Sequence, residues 1–257
     1  MPLLIKIRFR NKFTFQFRVL YTNGIFKLEE VDSTFQGLRK IYFYHPLRVT
    51  RYFSGIDNRL DLIMRDYCVN QIKDLESGNF IDIGSNVGEF SLGISRNFPD
   101  ANFFRFEPSP EECKASTFNM MGKNDHLIPK ALWKESTILP FYNRNKEGDS
   151  SLFSPDNESG QTSIMTSTLD AEMDKFEISV IQILKLEAEG AEPEILLGGE
   201  STLRKCRYVT ADLGPERGVK KEETFEASHQ ILMSYGFSLV ARNSGGRRCF
   251  LYKNSRH

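Results

Sequence analysis

FIDIGSNVGEF, residues Phe80 to Phe90, packs an apolar run of β type, one acid and two glycines into a short space. Gly84 follows the apolar run directly and Gly88 opens the next helical pattern, with Ser85, Asn86 and Val87 between them. Glycines placed this way let the backbone turn sharply and let a ligand approach, while the first helical N–H groups face whatever occupies the crevice. The dinucleotide fingerprint requires G-x-G-x-x-G, and this turn has only G-x-x-x-G, so a pyrophosphate cradle is not spelled out. A nucleoside lacking a diphosphate suits the turn better.

The texture around this stretch is that of an α/β protein. Short apolar runs at Phe80 to Ile83, Phe103 to Phe106, Ile178 to Leu186 and Tyr208 to Ala211 alternate with apolar residues at helical spacing. Val87, Phe90, Ile94 and Phe98 define one helix, and Phe225, Leu232 and Tyr235 another. Strand, helix, strand, helix is the signature of a parallel sheet covered by helices. The tail FSLVAR, Gly245-Gly246, RCFLYK predicts a closing antiparallel hairpin. Upstream, apolar residues occupy odd positions from Ile5 to Phe17 and Tyr21-Thr22-Asn23-Gly24 supplies a turn, which predicts a small antiparallel β element followed by a helical stretch from Pro46 to Leu75. The expected organisation is an extension over residues 1–77 and a main α/β domain over 78–257.

Four acids sit where such a domain would use them. Glu107 ends the strand FFRFEPSP, and an acid at that distance from the glycine turn can accept hydrogen bonds from both hydroxyls of a ribose. In ILKLEAEGAEPEILLGG, Lys185, Glu187 and Glu189 alternate with apolar or small residues as a buried strand runs out toward a helix. They are expected at the carboxyl end of the sheet, where open α/β sheets bind ligands. Glu189 and Glu192 have a purely structural alternative, complementing the dipole of the helix that Pro193 helps to start, and for Glu192 it is the preferred one. Asp212 ends YVTADLG in the same manner.

Composition narrows the partners. Lys plus Arg number 34 and Asp plus Glu 34, so no overall field favours nucleic acid or an anionic membrane. Cys68, Cys113, Cys206 and Cys249 lie far apart without metal-site spacing and are read as free thiols of a cytoplasmic protein. The start MPLLIKIRFRNKF is too charged for a signal peptide or a membrane span. Arg48, Arg51 and Arg59 form a basic cluster, which is either a solvated face or a grip for an anionic acceptor. The polar stretch NRNKEGDSSLFSPDNESGQT, Asn143 to Thr162, reads as a mobile surface segment or a substrate lid.

DIGSNVG, FEPSPE, the TLD at Thr168 to Asp170 and LKLEAEGAEPEILLGG, in this order and spacing, resemble the FkbM-type S-adenosylmethionine-dependent methyltransferases over about Gly78 to Tyr252. The resemblance implies a class I methyltransferase fold, a Rossmann-like sheet with helices on both faces and an antiparallel last strand. It implies S-adenosyl-L-methionine as cofactor and O-methylation of a sugar, a glycan precursor or a related natural product. Carried over by residue, Asp82, Gly84, Asn86 and Gly88 match the cofactor turn and Glu107 the ribose acid, with Ser85 and Pro108 inside the same matching segments. Lys185, Glu189, Gly190 and Glu192 match a later run in which the family usually carries Asp where this chain has Glu187.

Methyl transfer from a sulfonium is an in-line displacement with an activated donor, so alignment is the main requirement and a base a smaller one. The candidate bases are Glu187 first, then Asp212, with Glu189 beside them. His229 and His45 are expected to be structural. Carboxylates could instead hold Mg²⁺ against a diol, but no ligand spacing supports a metal site. A small molecule or glycan is the expected partner, with homo-oligomerisation left open. Competing readings are a non-catalytic module that kept the nucleoside pocket and a nicotinamide-dependent oxidoreductase, the latter lacking a Tyr-x-x-x-Lys pair.

Overall fold

A computed structural model describes residues 3–8, 14–30, 40–120, 122–143, 150–154, 160–243 and 245–257. The early alternation of apolar and charged residues produces β1 (Leu3–Arg8), β2 (Thr14–Thr22), β3 (Ile25–Glu30) and β4 (Lys40–Phe43), an antiparallel sheet in that order. Asn23 and Gly24 join β2 to β3 with φ of 54° and 81°, the positive values that match a two-residue turn to the twist of its strands. A 3-10 turn over Pro46–Tyr52, α1 (Ile56–Asp66) and a second 3-10 turn at Val69–Gln71 make up the helical stretch.

Strands and helices then alternate as β5 (Asn79–Ile83), α2 (Glu89–Ser95), β6 (Asn102–Phe106), α3 (Pro110–Thr117) and β7 (Asp125–Ile128). Next come β8 (Ala131–Leu132), β9 (Ile138–Asn143), β10 (Gly160–Ser167) and α4 (Leu169–Met173). The second half runs β11 (Ile181–Leu186), α5 (Glu192–Leu197), α6 (Glu200–Arg204) and β12 (Cys206–Asp212). A small hairpin of β13 (Pro215–Arg217) and β14 (Glu222–Glu223) leads to α7 (Phe225–Ser234), β15 (Phe237–Arg242) and β16 (Cys249–Asn254).

The central sheet has the order β15-β16-β12-β11-β5-β6-β7. β16 runs antiparallel to both neighbours and the other pairings are parallel, because the short connection from β15 allows only a hairpin. All six residues of β11 are buried, as a strand covered on both faces requires. From β5 the chain proceeds one way to β6 and β7, and from β11 the other way to β12, so a crevice opens between the carboxyl ends of β5 and β11.

The N-terminal sheet is not detached from this core. Phe17, Leu28, Ile41 and Phe43 share an apolar cluster with Tyr52, Ile56 and Leu60, and also with Val87, Leu92 and Ala115. Asn119 fastens the contact: its Nδ2 donates to the carbonyls of Tyr42 (2.8 Å) and Val87 (2.9 Å), and its Oδ1 accepts from the Tyr42 N–H (3.0 Å). The polar stretch after Asn143 lies between β9 and β10, which pair antiparallel, a strand pair the local sequence did not announce. Its residues 144–149 and 155–159 lie outside the described residues, so the mobile-segment and lid readings are not addressed there. No described helix is long and apolar enough to cross a membrane.

Candidate active site

The turn after β5 is fixed by the strands on either side of it. The N–H groups of Gly84 and Ser85 both donate to the Phe106 carbonyl at 3.0 Å, and the Glu187 N–H donates to Ile83 at 3.2 Å. Gly84 has φ 68°, and a Cβ there would fall on the Glu187 carbonyl oxygen. Only glycine brings the turns after β5 and β11 this close. Gly88 serves a different neighbour: with φ 89°, a Cβ there would stand 2.6 Å from Nη1 of Arg105. Arg105 is fully buried in β6 and held by Asp125 at 2.7 Å.

The resulting crevice encloses about 980 Å³, counting its open mouth. Gly84, Ser85, Asn86, Glu107 and Pro108 line one side of it; Lys185, Glu187 and Glu189 line another. Asp82 and Gly88 are not among its lining residues. Asp82 is buried beneath the turn, where it accepts from Ser91 Oγ at 2.8 Å and pairs with Lys185 Nζ at 3.3 Å. Glu107 is buried and receives the Asn86 N–H on Oε2 (2.8 Å) and the Ser109 N–H on Oε1 (2.9 Å). Burial lifts its carboxyl above the usual range, against the pull of those two N–H groups.

Lys185 joins the two halves of the sheet. Its Nζ donates to the carbonyls of Ile83 (3.0 Å) and Gly84 (2.7 Å) and pairs with Glu187 at 3.1 Å. Burial alone would lower its pKa, but Asp82 and Glu187 hold it above the ordinary value. Glu187 also accepts from the Tyr67 hydroxyl at 2.6 Å and pairs with Arg247. Burial would raise this carboxyl, yet Lys185, Arg247 and Tyr67 together hold it well below the usual carboxylate range. Glu189 adopts φ 49°, and its carbonyl accepts from Ser151 Oγ at 2.9 Å. Glu192, the first residue of α5, receives the N–H groups of Ala188 (2.8 Å) and Gly190 (3.2 Å) from the turn before the helix.

A second recess adjoins the first. Asp212, Gly214, Glu216 and Lys221 line it, and Arg51, Ser151, Glu187, Glu189 and Arg247 line both. Arg247 spans the junction, pairing with Glu187 and reaching Asp212 Oδ2 at 3.5 Å. Burial and the nearby Glu187 raise Asp212, with Arg247 opposing. Ser150, Ser151 and Leu152 line the first crevice and Ser151 the second as well; Ser151 exchanges backbone hydrogen bonds with Tyr142, and Phe153 lies 4.2 Å from the Arg217 guanidinium.

The basic cluster divides. Arg59 is buried and pairs with Glu89 through Nε (2.8 Å) and Nη2 (2.9 Å). Arg48, also buried, lies 3.6 Å from Glu89 and 3.8 Å from Glu112. Neither is a solvated face, and Arg59 is not among the residues lining either recess; Arg51 lines both. His45 faces Glu112 at 3.3 Å, and His229 stacks on Phe225 and reaches the Tyr252 hydroxyl at 3.2 Å. The TLD segment is a clamp between helices: Thr168 caps α4, and Asp170 accepts from the N–H groups of Ser201 (3.0 Å) and Thr202 (2.8 Å) at the start of α6. Among the described residues no group of three or more His, Cys, Asp and Glu could hold a metal ion.

A family model described as the methyltransferase FkbM domain matches residues 82–239. The chain belongs to the FkbM methyltransferase family. A 2-O-methyltransferase, NoeI, of Sinorhizobium fredii is 26% identical over 180 residues, spanning 63% of this chain and 73% of that protein. A hexuronic acid methyltransferase, AglP, of Haloferax volcanii is 25% identical over 143 residues, covering 51% of this chain and 54% of that one. Methyltransferase 1 of Beauveria bassiana is 26% identical over 205 residues, covering 69% and 79%.

This FkbM-family chain is therefore an S-adenosylmethionine-dependent methyltransferase with a class I fold. The first crevice suits that cofactor. The side-chain-free Gly84 leaves backbone at the ligand surface, and each Glu107 oxygen has one N–H partner and a lone pair left for a hydroxyl. Sequence reasoning missed Tyr67, Arg247 and Glu216. Tyr67 precedes the parallel sheet, Arg247 sits in the β15–β16 turn and Glu216 in the short strand β13, with no motif around them.

Proposed function

We propose that this methyltransferase transfers the methyl group of S-adenosylmethionine to a hydroxyl of a sugar, a glycan precursor or a related natural product. The observation that carries the reading is the junction of the two recesses across Glu187, Glu189 and Arg247, which gives a donor crevice a separate polar chamber for an acceptor. That chamber alternates carboxylates with cations, a lining able both to accept from and donate to a polyhydroxylated molecule. The names of the Sinorhizobium and Haloferax relatives point the same way.

The bound cofactor supplies an electrophilic methyl carbon on a sulfonium. Gly84, Ser85, Asn86, Glu107 and Pro108 would hold it, with Glu107 receiving the ribose hydroxyls. Asp82 would act from beneath by fixing Lys185, and Gly88 by leaving room for Arg105. Glu187, neutralised by Lys185 and Arg247, is a poor proton acceptor in this arrangement and a good acceptor of a substrate hydrogen bond. Glu189 and Asp212 would border the acceptor. Orientation of the two reactants is the principal contribution, since effective molarities of about 10⁵ to 10⁸ M are available from alignment alone.

Incubation with methyl-labelled S-adenosylmethionine and glycans or glycolipids from cell extracts, followed by mass spectrometry, tests the reading. The expected result is label on a sugar hydroxyl. Cofactor binding without transfer to any acceptor would instead support a non-catalytic module.

A further inference from the structure

We propose that Glu216, with Asp212 beside it, takes the proton from the acceptor hydroxyl during methyl transfer. The assignment rests on the hydroxyl-methylation reading above and adds to it the group that completes the reaction. β12 ends at Asp212 and β13 starts at Pro215, so the two acids flank the single glycine of Leu213-Gly214. A Cβ built on Gly214 would stand 3.5 Å from Asp212 Oδ1 and 3.8 Å from Glu216 Oε1. Both carboxylates thus border one small space, and that space belongs to the recess that joins the donor crevice.

Charge sorts the three acids around Arg247. Glu187 has Lys185 and Arg247, and Asp212 shares Arg247 at 3.5 Å. Of the other guanidinium groups nearby, Arg217 pairs with Glu194 at 2.7 Å and Arg248 with Glu223, while Arg51 also lines the recess. Asp212 at the end of β12, Glu187 after β11, Glu192 of α5 and Arg247 of the β15–β16 turn all act electrostatically on Glu216, and Lys221 and Arg51 line the same recess. Burial, then Asp212, Glu187 and Glu192, push its carboxyl up to about 8, with Arg247 opposing. A carboxylate of that basicity is suited to proton transfer near neutral pH, whereas Glu187 is held too acidic for it.

The step balances without a further reactant. A lone pair of the acceptor oxygen forms the new C–O bond, the S–C bonding pair stays on sulfur, and the hydroxyl proton moves to a Glu216 oxygen. From there it leaves to solvent through the open recess.

The test uses the full chain labelled with δ-¹³C-glutamate, and its Glu216→Gln variant. In wild type a glutamate carboxyl resonance titrates near pH 8, apart from that of Glu112 near 7, and it is missing from Glu216→Gln. On the acceptor methylated by wild type from tritiated S-adenosylmethionine, Glu216→Gln loses about 10² to 10⁴-fold in kcat while calorimetry shows unchanged cofactor affinity. Absence of any glutamate titration near pH 8 in wild type, beyond that of Glu112 near 7, needs no variant to fold and overturns the proposal. So does a Glu216→Gln enzyme that turns over within about threefold of wild type. Wild type that labels no hydroxyl acceptor at all overturns the underlying reading, and this proposal with it; that failure is told apart by its presence before any substitution.

Discussion

The Tyr67 hydroxyl donates to Glu187 Oε2 at 2.6 Å across a separation of 120 residues. The same hydroxyl accepts from Arg247 Nη1 at 3.0 Å, and the Tyr67 carbonyl accepts from Thr210 Oγ1 at 2.7 Å. A residue just after α1 thereby joins strands β11, β12 and the β15–β16 turn at the junction of the two recesses. Tyr67→Phe removes a hydrogen bond to a charged group and is expected to lower stability to urea by about 1.5 to 3 kcal/mol. Unchanged unfolding midpoints would show that Lys185 and Arg247 hold Glu187 without it.

Gly84→Ala places a methyl group against a main-chain oxygen that no rotamer change can move, at a φ that disfavours any L side chain. We expect a loss of about 3 kcal/mol or more in thermal unfolding, together with loss of cofactor binding by calorimetry. Gly88→Ala meets the end of the Arg105 side chain instead, and should be the milder of the two.

Glu107→Ala removes the acceptor of two backbone N–H groups as well as the expected ribose partner. Affinity for S-adenosylmethionine should fall about 10- to 100-fold. Equal affinities in a titration would remove Glu107 from the cofactor site.

Two acids that share Arg48 titrate in opposite directions. Burial would raise Glu89, but Arg59, Arg48 and Tyr52 lower it from 4.5 to about 2. Its stabilisation is present above pH 4.5 and is lost as pH falls toward 2, to the extent of about 3 kcal/mol. Burial raises Glu112 from 4.5 to about 7, against Arg48, so its contribution is present below 4.5 and lost as pH rises through 7. Glu89→Gln should flatten the stability profile between pH 4.5 and 2, and Glu112→Gln should flatten it between 4.5 and 7. Parallel profiles for both variants and wild type would refute these assignments.

Asp170→Ala should cost about 0.5 to 2 kcal/mol as a lost helix cap. Cofactor affinity should stay at the wild-type value, because Asp170 serves the start of α6 and does not line the crevice.

The alternation of apolar runs and helical spacings was enough to lay out the parallel sheet and its closing hairpin, since those periods follow from which faces are buried. Gly84, Glu107, Lys185 and Glu187 were legible as a set because each sits at a strand end, where position in sequence fixes position in the crevice. Asp82 and Gly88 carry the same motif but work beneath the surface, a distinction that depends on Lys185 and Arg105 arriving from other strands. Arg48 and Arg59 read as a basic cluster, yet their charges are taken up by Glu89 and Glu112, which lie on helices packed against them.

The order of elements, the family and the glycine turn were thus set by local pattern, which is short-range physics. Which acids are held ionised and which keep a proton was decided only by folding. That choice depends on distances between Tyr67, Glu187, Asp212 with Glu216, and Arg247, drawn from four separate parts of the chain, whose electrostatic coupling is strong only when burial removes the water between them.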